Sequence, residues 1–224
     1  MKVTFLGTAS VLIEYAGLRL LTDPVFDPQG VTYSMAPAGV PERWFASTKQ
    51  YVTPVTAAEV GHVDAVLLSH DHHRDNLDVA GRAFLLSDAV DAVLTTPAGA
   101  RRLSRARSAV TGLRVAESAT LGRATVTAIT AQHGPRFVPQ TAQVTGFVLS
   151  APGEPSVWIS GDTVMTPALR TALAGLRGID VAIVNGGGVR FPSAPLIGSA
   201  IFTFDPAQFV EACTILDPGV ILPI

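Results

Sequence analysis

The chain has 224 residues, 48% of them hydrophobic, enough for a sizeable core. Its 16 basic residues against 18 acidic ones leave a formal charge of −2 with no basic stripe, which argues against a phosphate-backbone binder. The single cysteine, Cys213, excludes an intrachain disulfide, and no apolar run approaches the roughly 18 residues of a membrane span. The expectation is a soluble, cytoplasmic protein whose partner is neither nucleic acid nor membrane.

Lys2–Leu6, Val11–Tyr15 and Leu18–Thr22 are apolar, β-rich and separated by short breaks, which predicts a β-meander ending at Asp23-Pro24. A Pro- and Gly-rich stretch follows, from Val25 to about Val55, with Pro28, Pro37, Pro41 and Pro54. It also carries Tyr33, Met35, Trp44, Phe45 and Tyr51. A loop this long usually covers a site. Its rings suit a substrate lid, a subunit contact in a homo-oligomer, or a cover tucked over the core.

Thr56–Val60 reads as a helical turn and Val63–Leu68 as a buried strand. Further strands are predicted at Ala92–Thr95, Arg114–Glu117, Thr125–Thr130, Val144–Leu149, Val157–Ser160 and Val181–Val184. Thr166–Leu176 and Asp205–Leu216 have helical spacing. Each opens on a capping residue followed by proline, and Pro97–Ser104 is a third helix. The run Arg101–Arg107 reads as an exposed helix face and loop, and Cys213 as the buried side of a helix. Strands interspersed with helices predict an α/β protein.

Chemistry concentrates in Ser69-His-Asp-His-His-Arg-Asp-Asn-Leu-Asp78, directly after a predicted strand. His70, His72 and His73, interleaved with Asp71 and Asp75, would repel and desolvate one another on a tight loop without a cation to hold. Neutral imidazole and carboxylate oxygen are what zinc, manganese or iron accept. Three other pieces end strands in the same way: His133 before Gly-Pro, Asp162 behind Gly161, and Asp23 before Pro24. Taken singly, each has a plain structural reading: a satisfied histidine, a helix cap, a turn-former. In α/β proteins, however, sites gather at strand ends.

The order of these motifs resembles the metallo-β-lactamase fold. The closest match is its branch of small cytoplasmic metal-dependent hydrolases that includes ascorbate-6-phosphate lactonase. Phe5-Leu-Gly-Thr-Ala-Ser-Val-Leu-Ile-Glu14 and Leu20-Leu-Thr-Asp-Pro-Val25 resemble that branch's N-terminal meander. The resemblance implies a four-layer αββα sandwich, one domain over residues 1–224, with a metal site at one edge of two sheets. The family loop is usually His-x-His-x-Asp-His. Counting back from Asp75, this chain reads Asp71-x-His73-x-Asp75-Asn76. Either an inserted residue lets His70 serve through a bulge, or Asp71 replaces the first imidazole. Asn76 stands where the last histidine is usual and would add at most a neutral oxygen. Thr8 replaces the histidine of the N-terminal motif. The family's terminal histidine would follow Val220-Ile-Leu-Pro-Ile224, so the chain is expected to continue past Ile224.

By this resemblance one or two divalent ions, zinc or manganese first, are held by His73, His133, His70 or Asp71, and Asp162. Asp162 bridges in a two-ion version, and Asp75 holds a second ion or orients the attacking water. The expected activity is hydrolysis of a small-molecule ester, lactone or phosphodiester, with Asp75 and Asp162 as the catalytic carboxylates. Arg136 and the glycines at 186–188 could border the substrate. The substitutions at Thr8 and Asn76 keep a second reading open: a metal-poor or metal-free member of the fold that acts by binding or assembly.

Overall fold

The computed structural model describes residues 1–34, 36, 39–49, 55–106, 109–135, 143–195 and 197–224. Met35, Pro37, Tyr51, Pro54, Arg107 and Arg136, singled out above, lie outside these residues. In chain order the strands are β1 (Lys2–Gly7), β2 (Ser10–Tyr15), β3 (Leu18–Thr22), β4 (Thr32–Ser34), β5 (Ala46–Thr48), β6 (Val63–Leu67), β7 (Val90–Thr95), β8 (Val110–Gly112), β9 (Ser118–Leu121), β10 (Ala124–Thr130), β11 (Thr145–Ser150), β12 (Val157–Ile159), β13 (Val181–Val184) and β14 (Val220–Pro223). The helices are α1 (Ala57–Val60), α2 (Val79–Leu85), α3 (Pro97–Leu103), α4 (Pro167–Gly175) and α5 (Pro206–Leu216).

Two six-stranded sheets form, ordered β1-β2-β3-β6-β7-β8 and β14-β13-β12-β11-β10-β9. Their period-two burial builds the layers. Val11, Ile13, Leu20, Leu67 and Leu94 of the first sheet meet Val126, Phe147, Leu149, Ile159 and Ile183 of the second in a common core. The alternate residues Leu12, Leu21, Val66 and Val93 face outward against Val60 of α1, Phe84 and Leu85 of α2 and Leu103 of α3. On the far side, Trp158, Ala182 and Val184 face Leu169 and Leu173 of α4 and Ala212 and Leu216 of α5. The result is the expected αββα sandwich. Among the described residues no helix is long and apolar enough to cross a membrane.

Each helix begins where its sequence supplies an oxygen for the first free amides. Thr56 and Glu59 form a capping box, Asp78 accepts from Gly81, and Thr96, Thr166 and Asp205 cap helices whose next residue is proline. α2 escapes sequence reading because it is short and has a glycine in its first turn, which lowers its helical signal.

Two readings need correction. The strand expected at Arg114–Glu117 is a turn between β8 and β9. Ala116 takes φ 68 there, and the Glu117 carboxylate accepts from the Arg114 amide. The Pro-rich stretch is not wholly irregular, because β4 and β5 pair as an antiparallel ribbon. Its rings Trp44 and Phe45 pack with Phe191 and Phe202 in a small separate core.

Candidate metal centre

Sheet topology gathers the strand-end motifs. β3 and β6 run parallel, with Thr22 opposite Leu67, so Asp23 and Ser69 emerge side by side. The Asp23 carboxylate accepts from the Ser69 amide at 2.7 Å and pins the start of the histidine loop. Across the sandwich, the Thr145 amide donates to the Ser69 carbonyl at 3.1 Å. The chain leaves β12 at Gly161, where φ is +58 and an added Cβ would lie 2.7 Å from the Thr145 carbonyl oxygen. A glycine is required there, which explains the Gly-Asp pair. That turn delivers Asp162 beside the histidine loop.

His70, His133 and Asp162 offer ligand atoms that all lie within 4.8 Å of one another. His73 joins them: its Nδ1 is 3.3 Å from His70 Nε2 and 3.0 Å from His133 Nε2. His133 Nδ1 contacts the Phe202 carbonyl oxygen at 2.8 Å. A carbonyl only accepts, so this nitrogen carries the proton and Nε2 presents a lone pair to the cluster. His73 Nδ1 then faces two imidazole nitrogens with at most one proton to share. In the neutral cluster one of the two contacts has no proton between its nitrogens. The spacing also suits a tetrahedral ion, whose ligands about 2.0–2.1 Å from the metal stand roughly 3.3 Å apart. The donor set and its spacing therefore fit a divalent cation.

Burial pushes the His70, His73 and His133 imidazoles below the usual range, His73 to about 2; neighbouring imidazoles add to this at His70 and His73, whereas the Asp75 carboxylate and the Phe202 carbonyl oppose it at His133. Neutral imidazole is the form a metal needs. Burial raises Asp162, and raises Asp75 with help from the Asp162 charge, each to about 6. The Asn185 amide donates to Asp162 Oδ1 at 2.9 Å. The Asn76 amide, oriented with its NH2 toward the carboxylates, donates to Asp75 Oδ1 and Asp162 Oδ2, each at 3.1 Å. This corrects the reading of Asn76 as a neutral oxygen donor, because two carboxylates face it and only its NH2 can satisfy them.

Asp71 turns away from the cluster. Its carboxylate is held by both Nε and Nη2 of Arg102 in the last turn of α3, and Arg82 donates to its carbonyl at 2.9 Å. Burial pushes the Asp71 carboxyl up, but the Arg102 guanidinium overcomes this and holds it below the usual carboxylate range. Arg102 thus does more than line an exposed helix face. His72 is exposed, but its ring lies 4.7 Å from His70 and 4.1 Å from His73, and the three form a second group whose ligand atoms lie within 4.8 Å of one another.

The family model for the beta-lactamase superfamily domain matches residues 18–224. The chain belongs to the beta-lactamase superfamily. A metal-dependent hydrolase of Xanthobacter autotrophicus is 32% identical over 174 residues, spanning 73% of this chain and 62% of that protein. The match therefore covers less than two thirds of that relative's length. Isothiocyanate hydrolase from Delia radicum gut bacteria has a TM-score of 0.77 at 21% identity, covering 100% of this chain and 84% of its own. A possible metal-dependent hydrolase from Veillonella parvula has a TM-score of 0.79 at 18% identity, covering 99% and 84%. At those identities the likeness shows a shared fold, the metallo-β-lactamase sandwich.

Within this superfamily fold, sequence motifs located His70, His73, His133, Asp75 and Asp162, and the structure brings all five together. It leaves Asp71 outside. Three contributors were missed or undervalued. Asn185 directly follows the all-apolar β13 and precedes Gly186, a polar residue at a strand tip that could have been noticed. Asp23 reads from sequence as an acid at a strand end or, equally, a turn-former, without a place in the expected site. Phe202 acts through its main chain, for which no sequence signal exists.

Proposed function

We propose that the chain is a metal-dependent hydrolase with one divalent ion, zinc or manganese, held by His70, His73, His133 and Asp162. The observation carrying this reading is the meeting of three imidazole nitrogens, one buried and two half-buried, at 3.0–3.3 Å, one contact short of a proton. Such an ion acts as a Lewis acid and lowers the pKa of its bound water from about 15.7 to about 7. His70 takes the first position, since the Asp71 carboxylate is committed to Arg102. A single ion is favoured because the Asn76 amide already donates to both Asp75 and Asp162, the carboxylates that would hold a second one.

The chain's own residues do the rest. Asn76 and Asn185 fix the Asp162 carboxylate from both sides, so its orientation does not depend on the ligand. Asp75, beside it, takes the proton given up by the attacking water. The Phe202 carbonyl keeps the His133 tautomer that points a lone pair inward. The substrate is a small-molecule ester, lactone or phosphodiester. The single cysteine suits a cytoplasmic site of action.

The test is metal content and turnover on the purified chain. About one equivalent of retained metal, with EDTA-sensitive hydrolysis in a panel of esters, lactones and phosphodiesters, is expected. A folded chain that neither retains metal nor responds to it would overturn the reading.

A further inference from the structure

A cavity of about 300 Å³ opens on the outer side of the histidine loop, walled by His73, Arg74, Asp71, Leu77, Asp78 and Arg82 among others. His73 belongs both to this cavity and to the imidazole cluster. The two carboxylates in the wall are already engaged. Asp71 is clasped by Arg102. Asp78 is buried and accepts from the Gly81 and Asp27 amides at 2.6 and 2.5 Å. The two guanidiniums are differently placed. Among the described residues neither Arg74 nor Arg82 has a carboxylate within ion-pair distance. Arg82 spends one Nη2 donor on the Asp71 carbonyl, which ties its head to the cavity wall and leaves further N–H groups of its planar fork available.

We propose that this cavity is an oxyanion subsite, in which Arg74 and Arg82 hold a phosphate or carboxylate carried by the substrate. A guanidinium presents donors in a geometry that matches either group. The volume is at the low end for ligand pockets, so it admits the anionic end of a small molecule and not a polymer. Because His73 lines both spaces, an anion seated here puts a neighbouring scissile bond over the imidazole cluster. As a substrate assignment this rests on the hydrolase reading; as a binding site it does not.

The test is therefore binding to the EDTA-treated, metal-free chain at pH 8, read by calorimetry with inorganic phosphate as the probe and acetate as competitor. Saturable one-site phosphate binding is expected, weakened about tenfold or more in both Arg74→Gln and Arg82→Gln, about 1.4 kcal/mol. Arg82→Lys should recover part of the loss, and Arg123→Gln, remote from the cavity, should change nothing. Displacement by acetate at similar concentrations identifies a carboxylate as the natural group; resistance to acetate identifies phosphate. Absence of saturable phosphate binding, or equal binding in the parent and both glutamine variants, overturns the subsite. Phosphate binding by a chain that, as purified and before EDTA treatment, retains no metal would sink the hydrolase reading alone. Metal retention without metal-free phosphate binding would sink the subsite alone.

Discussion

His133 and Phe202, 69 residues apart, are joined by a hydrogen bond in which the His133 Nδ1–H donates to the Phe202 main-chain carbonyl at 2.8 Å. The bond sets the tautomer, and the Phe202 ring sets the bond: it packs edge-on to His133 with centroids 5.9 Å apart and lies in the small aromatic core with Phe45 and Phe191. Gly134 is the joint between them. Its φ is +82, and an added Cβ would lie 2.6 Å from the Phe202 ring. Gly134→Ala should push Phe202 aside and weaken metal binding about 10–100-fold, the usual cost of losing an outer hydrogen bond. The left-handed backbone should cost about 1–3 kcal/mol of stability in addition. Metal titration with a fluorescent competitor and urea melts check both, and parental metal affinity in the folded variant would refute the link.

His73→Ala and Asp162→Ala should each abolish metal retention while leaving the far-ultraviolet dichroism of the fold intact. His72→Ala should retain metal, because His72 is exposed and stands outside the group that His70, His133 and Asp162 form. Elemental analysis after desalting decides. Metal loss in the His72 variant with retention in the His73 variant would reverse the assignment.

Asp71 and Arg102 separate structural from ligating roles. Arg102→Met strands a carboxylate whose side chain is only 2% exposed, and should cost about 1–3 kcal/mol, moderated by the half-exposed guanidinium. Asp71→Asn should keep its metal, since His70 fills the first position. A double variant less destabilised than the sum of the singles would measure the pair. If Asp71→Asn emptied the site, Asp71 would be the ligand.

Protons should leave when metal enters. The buried carboxyls of Asp75 and Asp162 are raised to about 6, whereas the imidazoles are depressed and already neutral at that pH. Two groups half-protonated at pH 6 release about one proton together on binding a cation; by pH 8 this carboxyl share is nearly gone and the bound water, with a pKa of about 7, supplies the proton instead. Affinity should therefore rise with pH from about 5 upward. Calorimetry in buffers of different ionisation enthalpy counts the protons; an Asp75→Asn variant that releases as many protons as the parent at pH 6 would contradict the raised Asp75 carboxyl.

The centre was partly legible because its densest part is local. Ser69–Asp78 places three imidazoles and several carboxyls within ten residues of chain directly after an apolar strand, and a strand's period and length can be read residue by residue. Two caps were legible for the same reason: Thr166 and Asp205 sit beside the prolines and amides they serve. α2 and the turn at Arg114–Glu117 were not, because a first-turn glycine and a short run of β-formers send weak or false local signals that packing overrides.

The amino-acid order by itself determined the alternating faces of the strands, the helix starts, and which side chains with metal-binding chemistry stand at strand ends. Only the tertiary structure decided how those side chains are used. Asp71 goes to Arg102, 31 residues away, Asp162 is steadied by Asn185, 23 residues away, and His133 takes its proton position from a carbonyl 69 residues on. Periodicity and capping act over a few bonds of backbone. A hydrogen bond acts over about 3 Å of space, and which residues share that space is set by the stacking of two sheets.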